Sequence, residues 1–203
     1  MAVTENHTTF NQAQAAARSD VVADAIRNAT PSSSGLTGLD YGCGPGHIGL
    51  RLADHFEQVI LADCDPEALA QAKAVAALSN ATVISLDLVR DPPPPDLRAD
   101  VVFSCLSWHH IRDLDRLIDA LPALAPDGQL FVAEMDPDAG AYHAELPDFD
   151  GWHGFDRNDL ASRLTRHAYT GITTAQLGRW QKWIAGDLAT ISVFMIHARI
   201  PKV

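Results

Sequence analysis

The sequence predicts an α/β fold of the doubly wound, Rossmann-like kind: a mainly parallel seven-stranded sheet closed by an antiparallel C-terminal hairpin. Three observations lead there. Short apolar runs alternate with segments of helical spacing from residue 36 to residue 134, as parallel strands joined by crossover helices do. An early strand-to-helix junction carries three alternating glycines, Gly42, Gly44 and Gly46. The last two strand-like runs, Ile172 to Trp180 and Ala189 to Ile200, follow one another without a helix, so they can pair only as antiparallel neighbours.

Each element has a local reason. Phe10 to Ala29 is alanine-rich with Val21, Val22, Ala25 and Ile26 on one side, which predicts an amphipathic helix, and the Ser/Pro-rich Thr30 to Gly35 ends it. Leu36 to Tyr41 reads as the first strand and His47 to Phe56 as a helix, with Ile48, Leu52 and Phe56 on one stripe. Gln58 to Ala62 is a second strand ending in Asp63, after which Asp65 caps a helix that has Pro66 in its first position and runs from Glu67 to Leu78. Ala81 to Leu86 is a third strand ending at Asp87, and the four prolines from Pro92 to Pro95 make a stiff connection. Asp100 to Cys105 is almost wholly apolar, as a strand covered on both faces should be. A helix from Arg112 to about Leu124, bent at Pro122, leads through the turn Pro126-Asp127-Gly128 to a fifth strand, Gln129 to Glu134. Asp136 to Gly154 breaks the pattern as a long irregular insertion, and Asp156 caps a helix running to about His167.

At 203 residues and 47% hydrophobic, the chain suits one domain. Its expected parts are an N-terminal helix and linker (1–34), a cofactor-binding core (35–135), a substrate-side insertion (136–154), and a helix with the closing hairpin (155–203). A net charge of -11 disfavours nucleic acid and anionic membranes, both polyanions, and favours a small-molecule partner. Met1 to Asn11 is polar, no run approaches a membrane span, and Cys43, Cys64 and Cys105 lack metal spacing; free thiols in the cytoplasm are the expectation. Oligomeric state is not legible.

The glycines explain what kind of ligand the junction holds. Without Cβ atoms the backbone can take positive φ and approach a nucleotide-like cofactor closely. Gly44, Gly46 and Gly49 also match the dinucleotide fingerprint, but Asp40 stands directly before the loop, where a pyrophosphate would meet a like charge. A phosphate-free, cationic nucleoside suits the acid better. The stretch Gly38 to Gly49 resembles the first motif of the class I S-adenosylmethionine-dependent methyltransferases, an apolar strand, then an acid, then three alternating glycines. The resemblance extends, with falling specificity, to Ile200.

That resemblance implies S-adenosylmethionine as cofactor and S-adenosylhomocysteine as product, with Asp40, Gly42, Cys43, Gly44 and Gly46 forming the cradle. It implies Asp63 on the ribose hydroxyls, Asp87 facing the adenine amino group with Leu88 donating from its backbone, Cys64 and Leu88 as apolar walls, and Ser104 and Cys105 beside the methionine part. Methyl transfer from a sulfonium is an in-line displacement in which alignment can supply up to roughly 7–11 kcal/mol and a base about 10²–10⁴-fold. His109 and His110 follow the fourth strand and are the candidate bases, with a structural role as the other reading. Adjacent histidines are expected to point apart, so no metal is expected. The acceptor is expected to meet Trp108, Met135, Asp136, Tyr142, His143, Trp152 and His153, with anchoring of the insertion to the core as the other reading of Trp152. A non-catalytic binder of the same nucleoside and an NAD(P)-dependent oxidoreductase are the alternative readings.

Overall fold

The computed structural model describes residues 2–31, 35–77 and 79–202. The middle of the expected linker (residues 32–34), Leu78 at the expected end of the third helix, and the terminal Met1 and Val203 lie outside them.

Seven strands form one sheet: β1 (Thr37–Tyr41), β2 (Gln58–Asp63), β3 (Ala81–Ser85), β4 (Val101–Cys105), β5 (Gln129–Met135), β6 (Thr170–Ile184) and β7 (Asp187–Arg199). Their order is β3-β2-β1-β4-β5-β7-β6, the first five parallel, with β7 antiparallel to both β5 and β6. The hairpin turns through Ala185 and Gly186, both at positive φ (53° and 87°), the geometry of a two-residue primed turn. It is longer than its apolar pattern suggests, because β6 is a half-exposed edge strand whose outer positions need not be hydrophobic.

Helices cover both faces. Side chains alternate across the strands, so Phe103, Phe131, Met135 and Val193 meet α1 (Ala2–Ala29), α2 (His47–Arg51) and α3 (Pro66–Ala76). Leu39, Val102, Val132 and Phe194 meet α4 (Leu114–Leu124) and α5 (Arg157–Arg166). Asp65, Asp113 and Asp156 cap α3, α4 and α5 by accepting from backbone N–H groups in the first turn.

Two helices depart from the sequence expectation. α2 ends at Arg51 instead of Phe56, and the chain unwinds into turns that carry the Phe56 ring over the bare Cα of Gly38 and alongside Phe103, ring centroids 6.0 Å apart. α1 begins at Ala2 and buries Val22, Ala23 and Ile26, while Val21 is exposed. Asn11 donates to Trp183 O at 3.0 Å and accepts from its N–H at 2.8 Å, and Gln14 accepts from Gln181 N–H at 2.9 Å. These amides satisfy the open edge of β6 at Gln181 and Trp183, so α1 packs as a side wall on that end of the hairpin.

Candidate cofactor site and adjoining histidine cluster

A cavity of about 660 Å³ opens beyond the carboxyl ends of β1 to β4, across the point where strand order reverses between β1 and β4. This is where open parallel sheets bind ligands, and the volume is that of a small-molecule site. Its walls include Tyr41, Gly42 and Gly44 after β1; Asp63, Cys64 and Asp65 after β2; Asp87 and Arg90 after β3; and Leu106, Ser107, His110, Ile111, Arg112 and Asp113 after β4.

The loop after β1 is shaped for a ligand. Gly42 and Gly44 sit at φ 70° and 52°, and a Cβ on Gly44 would meet no protein atom within 4 Å, so bare backbone faces the cavity. Asp63 braces the loop: one carboxylate oxygen accepts Gly44 N–H at 2.8 Å and the other Asp65 N–H at 2.9 Å. Each oxygen keeps lone-pair capacity for a further donor. These residues fit a nucleoside with a ribose diol at the Asp63 rim.

Several expectations are corrected by where the side chains go. Asp40 does not guard the cavity: it is 1% exposed, lies beneath the loop, and accepts Gly49 N–H at 2.8 Å. Burial, opposed by that hydrogen bond and assisted by the Asp63 charge, pushes its carboxyl up to about 7. The argument from charge passes instead to the cavity walls, where Asp63, Asp65, Asp87 and Asp113 outnumber Arg90 and Arg112. Leu88 is buried and its N–H is taken by the Tyr41 hydroxyl at 3.1 Å, so neither its backbone donor nor its side chain serves a ligand. Asp87 lines the cavity but accepts Val89 and Arg90 N–H at 3.0 and 3.1 Å, which makes it the cap of its own turn as well. Cys43, Gly46, Ser104 and Cys105 lie behind the wall; Cys43 and Ser104 are buried, and burial pushes the Cys105 thiol up to about 12.

The expected acceptor residues do not line this cavity. Trp108 and Met135 are core residues, 1% and 0% exposed on opposite faces of the sheet. Asp136 is held by Nε and Nη2 of Arg157, each at 2.7 Å, which keeps its carboxyl below the ordinary range. Tyr142 lies under Lys182 Nζ, 4.0 Å from the ring centroid, in a separate recess with Arg18. Trp152 donates its indole N–H to Ile111 O at 2.8 Å and its backbone N–H to His109 O at 2.7 Å. The insertion is therefore laced to the back of the segment that edges the cavity. His153 stands over Gly140. Tyr41, Leu106 and Ser107 carry no signal that singles them out in the sequence; Leu106, at φ 51°, is a strained non-glycine residue, which no composition signal reveals.

The histidines depart most from expectation. Trp108–His110 form a 3₁₀ turn, so His109 and His110 do not alternate as in a strand and their ring centroids lie 4.2 Å apart. His110 borders the cavity, and burial together with the neighbouring His109 lowers its basicity. His109 is 0% exposed; its Nδ1 lies 2.9 Å from Glu134 Oε2, and its backbone N–H donates to Glu134 Oε1 at 3.2 Å. It is turned away from the cavity and cannot take a proton there. His143 returns from the insertion to join them, stacked on Phe149 with centroids 3.6 Å apart. Burial and the two other imidazoles push His143 down to about 4.

The strand order and the glycine-rich turn after β1 match the seven-stranded fold of the class I S-adenosylmethionine-dependent methyltransferases. Residues 39–128 match a family model described as a methyltransferase domain, which bears out the resemblance seen in the sequence. An uncharacterized methyltransferase of Schizosaccharomyces pombe is 29% identical over 123 residues, 56% of this chain and 43% of that protein. The aligned stretch thus spans less than half of the curated relative. Among solved structures, an S-adenosylmethionine-dependent methyltransferase from Mesorhizobium loti is similar with a TM-score of 0.62 and 19% identity, covering 87% of this chain and 96% of that one. Magnesium protoporphyrin IX methyltransferase from Synechocystis, crystallised with S-adenosylhomocysteine, is similar with a TM-score of 0.65 and 17% identity, covering 94% and 85%. Among the described residues no helix is long and apolar enough to cross a membrane.

Proposed function

We propose that this protein transfers a methyl group from S-adenosylmethionine to a small-molecule acceptor, as a single-domain enzyme of the cytoplasm. The observation that carries the reading is the cavity at the β1–β4 switch point, where Gly44 presents bare backbone and Asp63 braces the same loop. The Synechocystis relative of this fold, crystallised with the demethylated product, supports the same donor.

In this reading Asp63 holds the ribose hydroxyls, Gly42 and Gly44 lie against the nucleoside, and Cys64 and Asp87 border the base. The bound sulfonium supplies an activated methyl group and leaves as a neutral thioether. The protein's own contribution is alignment in a partly enclosed cleft, the larger of the two effects available to it. His110 is the side chain placed to accept a proton from the acceptor, since it borders the cavity and its lowered basicity keeps it neutral near pH 7. The surplus of wall carboxylates favours a cationic ligand and opposes a pyrophosphate, which argues against a nicotinamide cofactor.

Calorimetry with S-adenosylhomocysteine, S-adenosylmethionine and NADH tests the proposal. Saturable binding of the first two is expected. Asp63→Ala removes two charge-assisted hydrogen bonds worth about 1.5–3 kcal/mol each, so affinity should fall roughly 10²–10⁴-fold. Unchanged affinity would discard the ribose assignment, and binding of NADH alone would overturn the reading. Tight product binding without turnover across a broad acceptor panel would mark a binding protein that performs no methylation.

A further inference from the structure

We propose that His109, His110 and His143 form a three-histidine site for a divalent transition-metal ion at the edge of the cofactor cavity. One ring nitrogen from each lies within 4.8 Å of the others, although the chain brings His143 back from the insertion to meet an adjacent pair. A tetrahedral zinc site sets imidazole nitrogens about 3.4 Å apart, from Zn–N bonds of about 2.0–2.1 Å, so the widest pair has to close by roughly 1.4 Å. Side-chain rotation of the exposed His110 can supply that.

The hydrogen-bond pattern around the cluster is that of a ligand set. Where Glu134 accepts, as it does from the backbone N–H groups of His109 and Met135, the 2.9 Å contact is made by the Nδ1–H tautomer of His109, which leaves the Nε2 lone pair free. That Nε2 is buried and has no hydrogen-bond partner, and neither ring nitrogen of His143 has one. Buried polar atoms are rarely left without a partner, and here two of the three cluster residues carry three of them between them. Glu134 is itself fixed, taking N–H groups from His109 and Met135, both at 3.2 Å. A carboxylate holding a histidine by the nitrogen opposite its ligating one is the usual outer support of a metal-bound imidazole. Phe149, stacked on His143 at 3.6 Å, holds the third ring in place.

Three neutral imidazoles with no thiolate or carboxylate ligand beside them suit zinc and its neighbours rather than calcium or magnesium. Three protein ligands leave a position open, and His110 places that position toward the cavity. Its use rests on the methyl-transfer reading. An acceptor hydroxyl or thiol bound there gives its proton to solvent, and the oxyanion or thiolate left behind takes the methyl group while the metal keeps its oxidation state. The ion would then ionise the acceptor, relieving His110 of the role of base.

The test uses the full chain stripped by a chelator, titrated with ZnCl₂ against a competing chelator and with CoCl₂ in the visible spectrum. One equivalent of either ion is expected, with a cobalt ligand-field band. His110→Ala, at an exposed position, and His143→Ala should each weaken zinc at least roughly 100-fold, and Glu134→Gln about 10–100-fold. His167→Ala, a histidine paired with Asp115 and Asp119 on another surface, should change nothing. Binding of less than one equivalent, or zinc affinity untouched by His110→Ala, overturns the site; if His143→Ala fails to fold, His110→Ala decides alone. S-adenosylhomocysteine affinity of the stripped protein, measured in parallel, keeps the donor reading separate: product binding without zinc binding refutes the metal only.

Discussion

Gly42→Ala is the substitution whose cost the structure specifies best. Gly42 sits at φ 70°, where an L-residue is strained by about 1–2 kcal/mol. Its added Cβ would overlap Ser107 Oγ and lie 2.6 Å from Ser107 Cβ, closer than packed atoms approach. Pushing the segment after β4 aside costs a further amount of about 1–3 kcal/mol, typical of an overpacked contact. The two add to about 2–5 kcal/mol, and both fall on the seam where the β1 and β4 loops meet over the cavity. Urea unfolding of four proteins separates them: wild type, Gly42→Ala, Ser107→Gly, and the double variant. In the cycle, Ser107→Gly should recover the overlap and leave about 1–2 kcal/mol of backbone strain. Ser107→Ala in the same background should recover less, because the 2.6 Å contact is with Cβ and survives. A Gly42→Ala protein as stable as wild type, or a double variant no better than the single, would refute the reasoning.

Asp40, with its carboxyl raised to about 7, makes stability depend on pH in a stated direction. The folded protein holds a proton that the unfolded chain releases near its ordinary value, so the stabilisation is full below about pH 4 and is lost as pH rises through about 7. Asp40→Asn keeps an acceptor for Gly49 N–H and should flatten that slope, by about 2–3 kcal/mol, when denaturation is compared at pH 5 and pH 8; an unchanged slope would show the charge to be carried elsewhere. Tyr169→Phe removes a buried hydroxyl that donates to Ile118 O at 2.8 Å and should cost about 1–3 kcal/mol in the same assay without altering product affinity. Arg157→Lys breaks the paired contact to Asp136 and the guanidinium placement 5.0 Å from the Phe194 ring centroid. Limited proteolysis should then cut residues 137–151 faster, and an unchanged cleavage rate would show that the pair does not anchor the insertion.

What the sequence discloses follows from how local its causes are. The strands, the Asp65 cap with Pro66, and the closing hairpin are legible because alternation, capping chemistry and the lack of a crossover act within a few residues. Gly42, Gly44 and Asp63 are legible for the same reason, since a strand end and the turn after it fix one another. Asp40 is misplaced by a sequence reading because nothing nearby in the chain says that Gly49, nine positions on, claims its carboxylate. Trp108 and Met135 read as acceptor contacts, and Trp152 as either an acceptor contact or a loop anchor, because aromatic and large residues after a strand look alike whether they face a ligand or the core. Only the tertiary ties to Ile111 O and His109 O separate the cases. The histidine cluster is invisible in the sequence because it needs a 3₁₀ turn that swings two rings together and a third ring returning from Phe149's side of the insertion.

The amide clasp between α1 and β6 joins partners 172 residues apart in the chain. During synthesis Asn11 and Gln14 emerge early and wait for Trp183 and Gln181 to be made, so this docking belongs to the end of folding. Until it occurs, the outer side of β6 shows unsatisfied N–H and C=O groups to any other nascent chain. Removing residues 2–16 would make that brief exposure permanent, and the consequence would be strand-to-strand association between molecules, visible as light scattering that grows with protein concentration.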